Sequence, residues 1–375
     1  MSAPTKSKLF EPVEVGNLQL QHRIVMAPLT RFRADDAHVV PDMAIEYYAQ
    51  RASTSGTLII SEAVLISEKA GGYDYVPGIW NQQQIDAWKK VTAAVHAKGS
   101  FIFCQLWALG RAANPEVLAK EGQSYVSSSN MPLPGASDIP NIAPEEGRAA
   151  SGTPRPLSVI EIKEYVADYA QAAKNAIEAG FDGIEVHGAN GYLPDQFLQE
   201  NINTRTDEYG GSIENRARFG LEVLDAIAKA IGESRTAIRI SPWEKFNGTG
   251  MTDPIPTFSY FIRSIREQHP DFAYLHITEP RVAGDVDRQA PPGTSNDFVH
   301  DIWSPRPLIV AGAFTRELAM RTADEKGCLV AFGRLFTSNP DLPLRLMKDI
   351  PLTKYDRSTF YTRGPEGYID FPFAS

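Results

Sequence analysis

The sequence predicts a closed (β/α)8 barrel, and three observations carry that expectation. Eight short, nearly unbroken apolar runs recur along the chain, and stretches of helical period separate them. No Gly-x-Gly-x-x-Gly follows the first run, where Met26-Ala-Pro-Leu-Thr30 stands instead. Strands that are apolar on both faces and alternate with helices belong to a parallel sheet covered by helices. About eight such units close into a barrel, while the missing glycine motif weakens the alternative of an open doubly wound sheet.

The elements follow in order. Strands are expected over residues 24–28, 57–64, 101–107, 183–187, 236–241, 274–279, 308–312 and 329–333. Helices are expected over 42–51, 81–98, 158–179, 215–231, 255–268, 296–303 and 315–326. Ser158 with Glu161 three residues later has the form of a capping box, and Gly99 and Gly180 stand where helices should stop. Two segments fall outside the alternation. Residues 108–157 are rich in Pro, Gly, Ser and acidic residues with little helical period, which suggests a capping insertion after the third strand. Residues 350–375 form an extension beyond the last unit. The expectation is one domain over residues 1–375.

Composition narrows the function classes. A hydrophobic content of 43% and a charged content of 22% give ample apolar material for a core. The net charge of −9 argues against nucleic acid, whose phosphates need a basic surface. No run approaches the roughly 20 apolar residues of a membrane span, and neither a secretory signal nor a peroxisomal address is expected. Cys104 and Cys328 have no spacing partners for zinc or an iron–sulfur cluster, so two buried thiols in a reducing cytoplasm are expected, with no metal.

The chemistry concentrates in Gly183-Ile-Glu-Val-His-Gly-Ala-Asn-Gly-Tyr192. His187, Asn190 and Tyr192 would cluster at the carboxyl end of one strand, where barrels place their active sites. Two donors able to polarise a carbonyl oxygen would lie beside a group able to deliver a proton. A lone strand-end His is more often structural, so the rest of the chain has to decide. Polar residues at the other strand ends are Thr30, Glu62, Gln105, Arg239, Glu279 and Arg334. Gly312 and Ala313 after the seventh strand, with Gly333 and Arg334 after the eighth, match the usual barrel phosphate site. Residues alone leave FMN and a phosphorylated sugar both open. A non-flavin aldolase or isomerase would need a catalytic Lys or a metal, and no Lys ends an expected strand.

Leu9-Phe-Glu-Pro, His22-Arg-Ile-Val-Met-Ala-Pro-Leu-Thr-Arg31, Gln105-Leu-Trp107 and Glu185-Val-His-Gly-Ala-Asn-Gly-Tyr192 resemble the old yellow enzyme family of FMN-dependent ene-reductases. So do Asn203-Thr-Arg-Thr-Asp-Glu-Tyr-Gly-Gly-Ser-Ile-Glu-Asn-Arg216 and Phe332-Gly-Arg334, and the fungal and yeast branch is the most similar. The resemblance implies tightly bound FMN, with NADPH as reductant and enones, enals or nitroalkenes as substrates. The protein would be a monomer or a homodimer. Pro28, Leu29 and Thr30 would lie along the flavin, Thr30 bonding its O4, while Ala63 and Ala313 would contribute main chain. Gln105 would meet the pyrimidine edge, Arg239 the N1 and C2=O region, and Gly312, Gly333 and Arg334 the phosphate. His187 and Asn190 would grip the substrate oxygen. Tyr192 would protonate the α-carbon after flavin N5 delivers hydride to the β-carbon; an ordinary phenol, ionising near about pH 10, keeps its proton at neutrality. Trp107, Phe246 and Tyr361 would line the pocket. Some fungal relatives act as net isomerases in secondary metabolism when Phe takes the proton-donor position, so a reductase or isomerase role in such a pathway is the alternative reading. Ala63, Ala313 and the non-aromatic Arg281-Val-Ala-Gly stretch depart from the best-known pattern.

Overall fold

The strict alternation of side chains along a strand decides what enters the barrel. The computed structural model describes residues 7–134, 152–284 and 286–374; the middle of the expected insertion, residues 135–151, lies outside them. Strands β1 (Ile24–Met26), β2 (Leu58–Leu65), β3 (Phe101–Trp107), β4 (Gly183–His187), β5 (Thr236–Ile240), β6 (Tyr274–Thr278), β7 (Leu308–Ala311) and β8 (Leu329–Phe332) form a closed barrel. Each pairs in parallel with the next, and β8 returns to β1. Between them run α1 (Met43–Arg51), α2 (Gln82–His96), α3 (Val159–Glu178), α4 (Ile213–Ile231), α5 (Ile255–Gln268), α6 (Asp297–Trp303) and α7 (Arg316–Lys326), followed by α8 (Arg334–Ser338) and α9 (Leu342–Lys348).

Inward positions recur with period two. Val25, Leu58, Ile60, Phe103, Ala237, Tyr274, Ile309 and Leu329 pack together inside the barrel, while Ile24, Ile59, Ile102, Ile184 and Ile238 face the helices. The same parity sends Gln105, Glu185, Arg239 and His276 inward, one residue pair above the apolar layer. A hairpin absent from the sequence reading, Val13–Val15 paired with Leu18–Leu20, adds Val15 and Leu20 to that inner cluster. It closes the amino-terminal mouth with side chains.

Helix starts obey local rules. The Ser158 hydroxyl accepts from Glu161 N, and the Glu161 carboxylate accepts from Ser158 N, so the capping box is formed. Ser212 caps α4, which therefore starts at Ile213, two residues before the expected position. The insertion after β3 is more regular than its composition suggested. It holds a helix, Pro115–Lys120, capped by Asn114, and a small pairing of Val126–Ser127 with Arg155–Pro156. A further short helix, Leu193–Leu198, follows β4.

The carboxyl-terminal extension is tied down by buried arginines. Arg31 donates to the carbonyls of Phe360 and Gly367, Arg33 to those of Phe360 and Gly364, and Arg51 to those of Thr337 and Tyr368. A hydrogen bond from a charged donor contributes about 1.5–3 kcal/mol, so these contacts fix the extension firmly against the barrel. Cys104 and Cys328 are buried and unpaired. Among the described residues no helix is long and apolar enough to cross a membrane.

Candidate active site

A cavity of about 770 Å³ opens at the carboxyl end of the strands. The segment after β1, Ala27 to Phe32, lines it, as does Trp107 at the end of β3. His187 at the end of β4 and Asn190 and Tyr192 just after it share a wall, with Arg239 of β5 beside them. Gly312, Ala313, Gly333 and Arg334 gather at the β7–β8 end, and Phe246 and Tyr361 also line the space. Two anticipated residues do not. Ala63 and Gln105 are buried and absent from the cavity lining, and Gln105 Nε2 is committed to Glu185 Oε1 at 2.8 Å.

The loop after β4 is held in an unusual shape. Asn190 adopts a left-handed backbone (φ 59°), which Asn tolerates better than most residues. Its N–H donates to Ser241 Oγ at 2.8 Å, and its carbonyl accepts from Asn247 Nδ2 at 2.8 Å. Gly191 N donates to the buried Asp195, whose carboxyl group burial pushes up to about 7. Gln196 ties the same loop through a bond from Nε2 to Gly191 O. With its backbone fully occupied, the Asn190 carboxamide keeps an unpartnered Oδ1, and a half-turn of the amide presents Nδ2 instead.

His187 and Tyr192 meet edge to face with ring centroids 4.6 Å apart, and Trp107 lies 5.0 Å from Tyr192. Burial, and then the positive charge of Arg239, hold the His187 imidazole well below its ordinary pKa. It is therefore a neutral ring with one N–H to donate at neutral pH. The aromatic wall extends beyond the anticipated residues. Tyr73 lies 5.6 Å from Trp107, and Phe32 lies 6.1 Å from Tyr73 and 5.5 Å from Tyr361. Phe32 also has a left-handed backbone (φ 52°), and the anchored Arg31 and Arg33 on either side hold it there. Sequence pattern carried no sign of either residue, because both project from loops.

Arg239 and Arg334 both have carboxylates nearby. Arg334 pairs with Asp287 on the loop after β6 and also donates to the Tyr355 hydroxyl at 3.2 Å. Arg239 is opposed by Glu185 and Glu244 at longer range, while burial lowers its pKa. At the β7 end Gly312 (φ 130°) and Ala313 (φ 47°) take backbone shapes that L-residues rarely adopt, and an alanine held there stores strain. A Cβ on Gly312 would sit 3.2 Å from Glu279 and Val282.

Among the described residues, four buried polar atoms of lining residues, Trp107 Nε1, His187 Nδ1, Asn190 Oδ1 and Arg239 Nε, have no hydrogen-bond partner. Buried groups are ordinarily hydrogen-bonded, so this wall is built for ligands with several polar edges. Together with an arginine-bearing cradle at the opposite end, the residues fit a flat heterocycle that carries a phosphate tail.

Comparison with known proteins gives the same answer. The model of the NADH:flavin oxidoreductase / NADH oxidase family matches residues 8–353. An Aspergillus flavus protein named NADP-dependent oxidoreductase lnbE is 49% identical over 380 residues, covering 98% of this chain and 97% of that protein. A Claviceps purpurea protein named probable inactive dehydrogenase easA is 47% identical over 378 residues, covering 98% and 95%. The crystal structure of old yellow enzyme from Pichia sp. AKU4542 superposes with a TM-score of 0.87 at 37% identity, covering 98% of this chain and 94% of that one. The chain thus belongs to the NADH:flavin oxidoreductase / NADH oxidase family and, within it, to the old yellow enzymes.

Proposed function

We propose that this protein binds FMN in the barrel cavity and, with NADPH as reductant, reduces the activated C=C bond of α,β-unsaturated carbonyl compounds. The observation that carries the reading is the convergence of His187, Asn190 and Tyr192 on one cavity wall beside Arg239. Gly312, Ala313, Gly333 and Arg334 would hold the phosphate, Arg239 would face the pyrimidine part of the ring, and Pro28, Leu29 and Thr30 would flank it. Bound there, FMN supplies the hydride that the substrate's β-carbon receives. Neutral His187 and the Asn190 carboxamide donate to the substrate oxygen and draw electron density toward it, which makes the β-carbon electrophilic. Tyr192 provides the proton for the α-carbon. Trp107, Phe246 and Tyr361, now joined by Phe32 and Tyr73, enclose the apolar remainder and exclude water.

Family membership alone does not carry activity, because a relative of nearly equal identity is named a probable inactive dehydrogenase. The claim rests on the three side chains. A tyrosine at position 192 favours net reduction over the isomerase alternative in fungal secondary metabolism. The purified protein is expected to be yellow, to bleach with NADPH in the absence of oxygen, and to regain colour on addition of cyclohexenone. A colourless preparation, or one that cyclohexenone fails to re-oxidise, overturns the reading.

Carbonyl activation has its own test. Each hydrogen bond to the substrate oxygen should contribute about 1–1.5 kcal/mol, so the His187→Ala, Asn190→Ala double variant should bind phenols at least tenfold more weakly. Titration followed through the flavin spectrum measures this. Parental affinity in the double variant would place the oxygen site elsewhere.

A further inference from the structure

One buried charge stands apart from the cavity. Glu185 lies in the middle of β4, its side chain is fully buried, and it is not among the lining residues. Its Oε1 accepts from Gln105 Nε2 at 2.8 Å on β3, and its Oε2 lies 2.9 Å from His276 Nδ1 on β6. The reach to β6 is possible because Ala237, in register with Glu185 on the intervening β5, leaves the space open. Arg239, two residues further along β5, is in register with His187 on one side and His276 on the other. A carboxylate buried without compensation is very costly, so neutral donors such as Gln105 and the nearby Tyr274 hydroxyl do not suffice for this one. Arg239 supplies compensating charge, since Glu185 favours its protonated form. Burial lowers the pKa of His276, so that ring is neutral and does not cancel the carboxylate. Glu185 thus sets an acidic side chain near Arg239 at the floor of the cavity, and of the two Arg239 is the one that lines it.

We propose that Glu185 is a charge-setting and positioning residue of the cofactor site: it fixes the Gln105 amide and offsets Arg239, so that bound flavin is harder to reduce than Arg239 alone would make it. This rests on the flavin reading given above. Removing the carboxylate while keeping its shape leaves Glu244 as the carboxylate opposing Arg239, so more of the Arg239 charge would act on a bound flavin and favour the more negative, reduced form. Gln105, whose donor would otherwise be free to turn, is held from below and shapes the layer under the site without lining it.

The reduction equilibrium of the FMN-loaded protein, measured against a redox dye, tests the inference. In the Glu185→Gln variant it should shift at least tenfold toward the reduced form, equivalent to about 30 mV for two electrons. A Glu185→Asp variant keeps the charge and should stay within threefold of the parent. An unmoved Glu185→Gln variant overturns the proposal, and so does a Glu185→Asp variant that shifts as far as Glu185→Gln. Should Glu185→Gln fail to fold, the Glu185→Gln, Arg239→Gln double variant should recover folding in urea titrations, since it leaves neither charge alone. A double variant no more stable than the single one overturns the charge pairing. A parent that holds no flavin defeats the functional reading itself, an outcome distinct from a flavin-loaded parent whose variants do not move.

Discussion

Tyr192→Phe is expected to oxidise NADPH at close to the parental rate yet to slow alkene reduction by about 10²–10⁴-fold, the usual range for loss of a general acid. The substitution removes one hydroxyl and keeps the ring, so the edge-to-face contacts with His187 and Trp107 survive and the cavity keeps its shape. Accepting reducing equivalents from NADPH requires no proton from a phenol, whereas saturating the α-carbon does. Nitroalkenes should suffer less in the hydride step, because the nitro group can hold the developing charge itself. Stopped-flow measurement of the two half-reactions separates the cases. Equal slowing of both, or of neither, would make Tyr192 a packing residue and assign the proton to water or another side chain.

Arg334→Ala should leave the barrel folded and largely empty of flavin. Two charge-assisted hydrogen bonds to a phosphate, at about 1.5–3 kcal/mol each, correspond to about 10²–10⁴-fold in affinity. The ion pair with Asp287 adds a second, opposite expectation. Asp287 lies half-exposed at the cavity edge and occupies the guanidinium that a phosphate would use. Asp287→Asn should therefore tighten FMN binding severalfold, and the gain should vanish when Arg334 is also removed. Reconstitution of apoprotein followed by flavin fluorescence measures both. Full FMN occupancy in Arg334→Ala would remove the phosphate assignment, and weaker binding in Asp287→Asn would show that the carboxylate organises the cradle and does not compete for it.

What the sequence made legible follows from periodicity. Strands with period two and helices with period 3.6 announce themselves locally, so the eight barrel strands and the helices between them could be expected from apolar runs alone. His187, Asn190 and Arg239 could be read because they sit at strand ends, where the barrel imposes a common destination. The same rule also named Glu62 and Gln105, which are buried strand residues outside the cavity lining. Glu62 is occupied with the Arg31 backbone, and burial pushes its carboxyl group up to about 7. Loop geometry was not legible. Phe32 and Tyr73 meet across segments 41 residues apart, and Asp287 meets Arg334 across 47, with no local pattern marking either pair. The Glu185–His276 contact spans 91 residues and depends on an alanine between them being small.

The arginine anchors of the carboxyl-terminal extension bear on how the chain is made. All eight strands have been synthesised by Phe332, and the barrel can close at that point. Yet Tyr355, Arg357, Phe360 and Tyr361 form part of the cavity wall, and the carbonyls that receive Arg31 and Arg51 reach as far as Gly367 and Tyr368. Three arginines laid down within the first 51 residues must wait, inside a folding protein, for acceptors some 300 residues later. A nascent chain halted between residues 332 and 355 would hold a complete barrel with an open flank and guanidinium groups still solvated. Translation order thus completes the ligand cavity only after the barrel that carries it has been made.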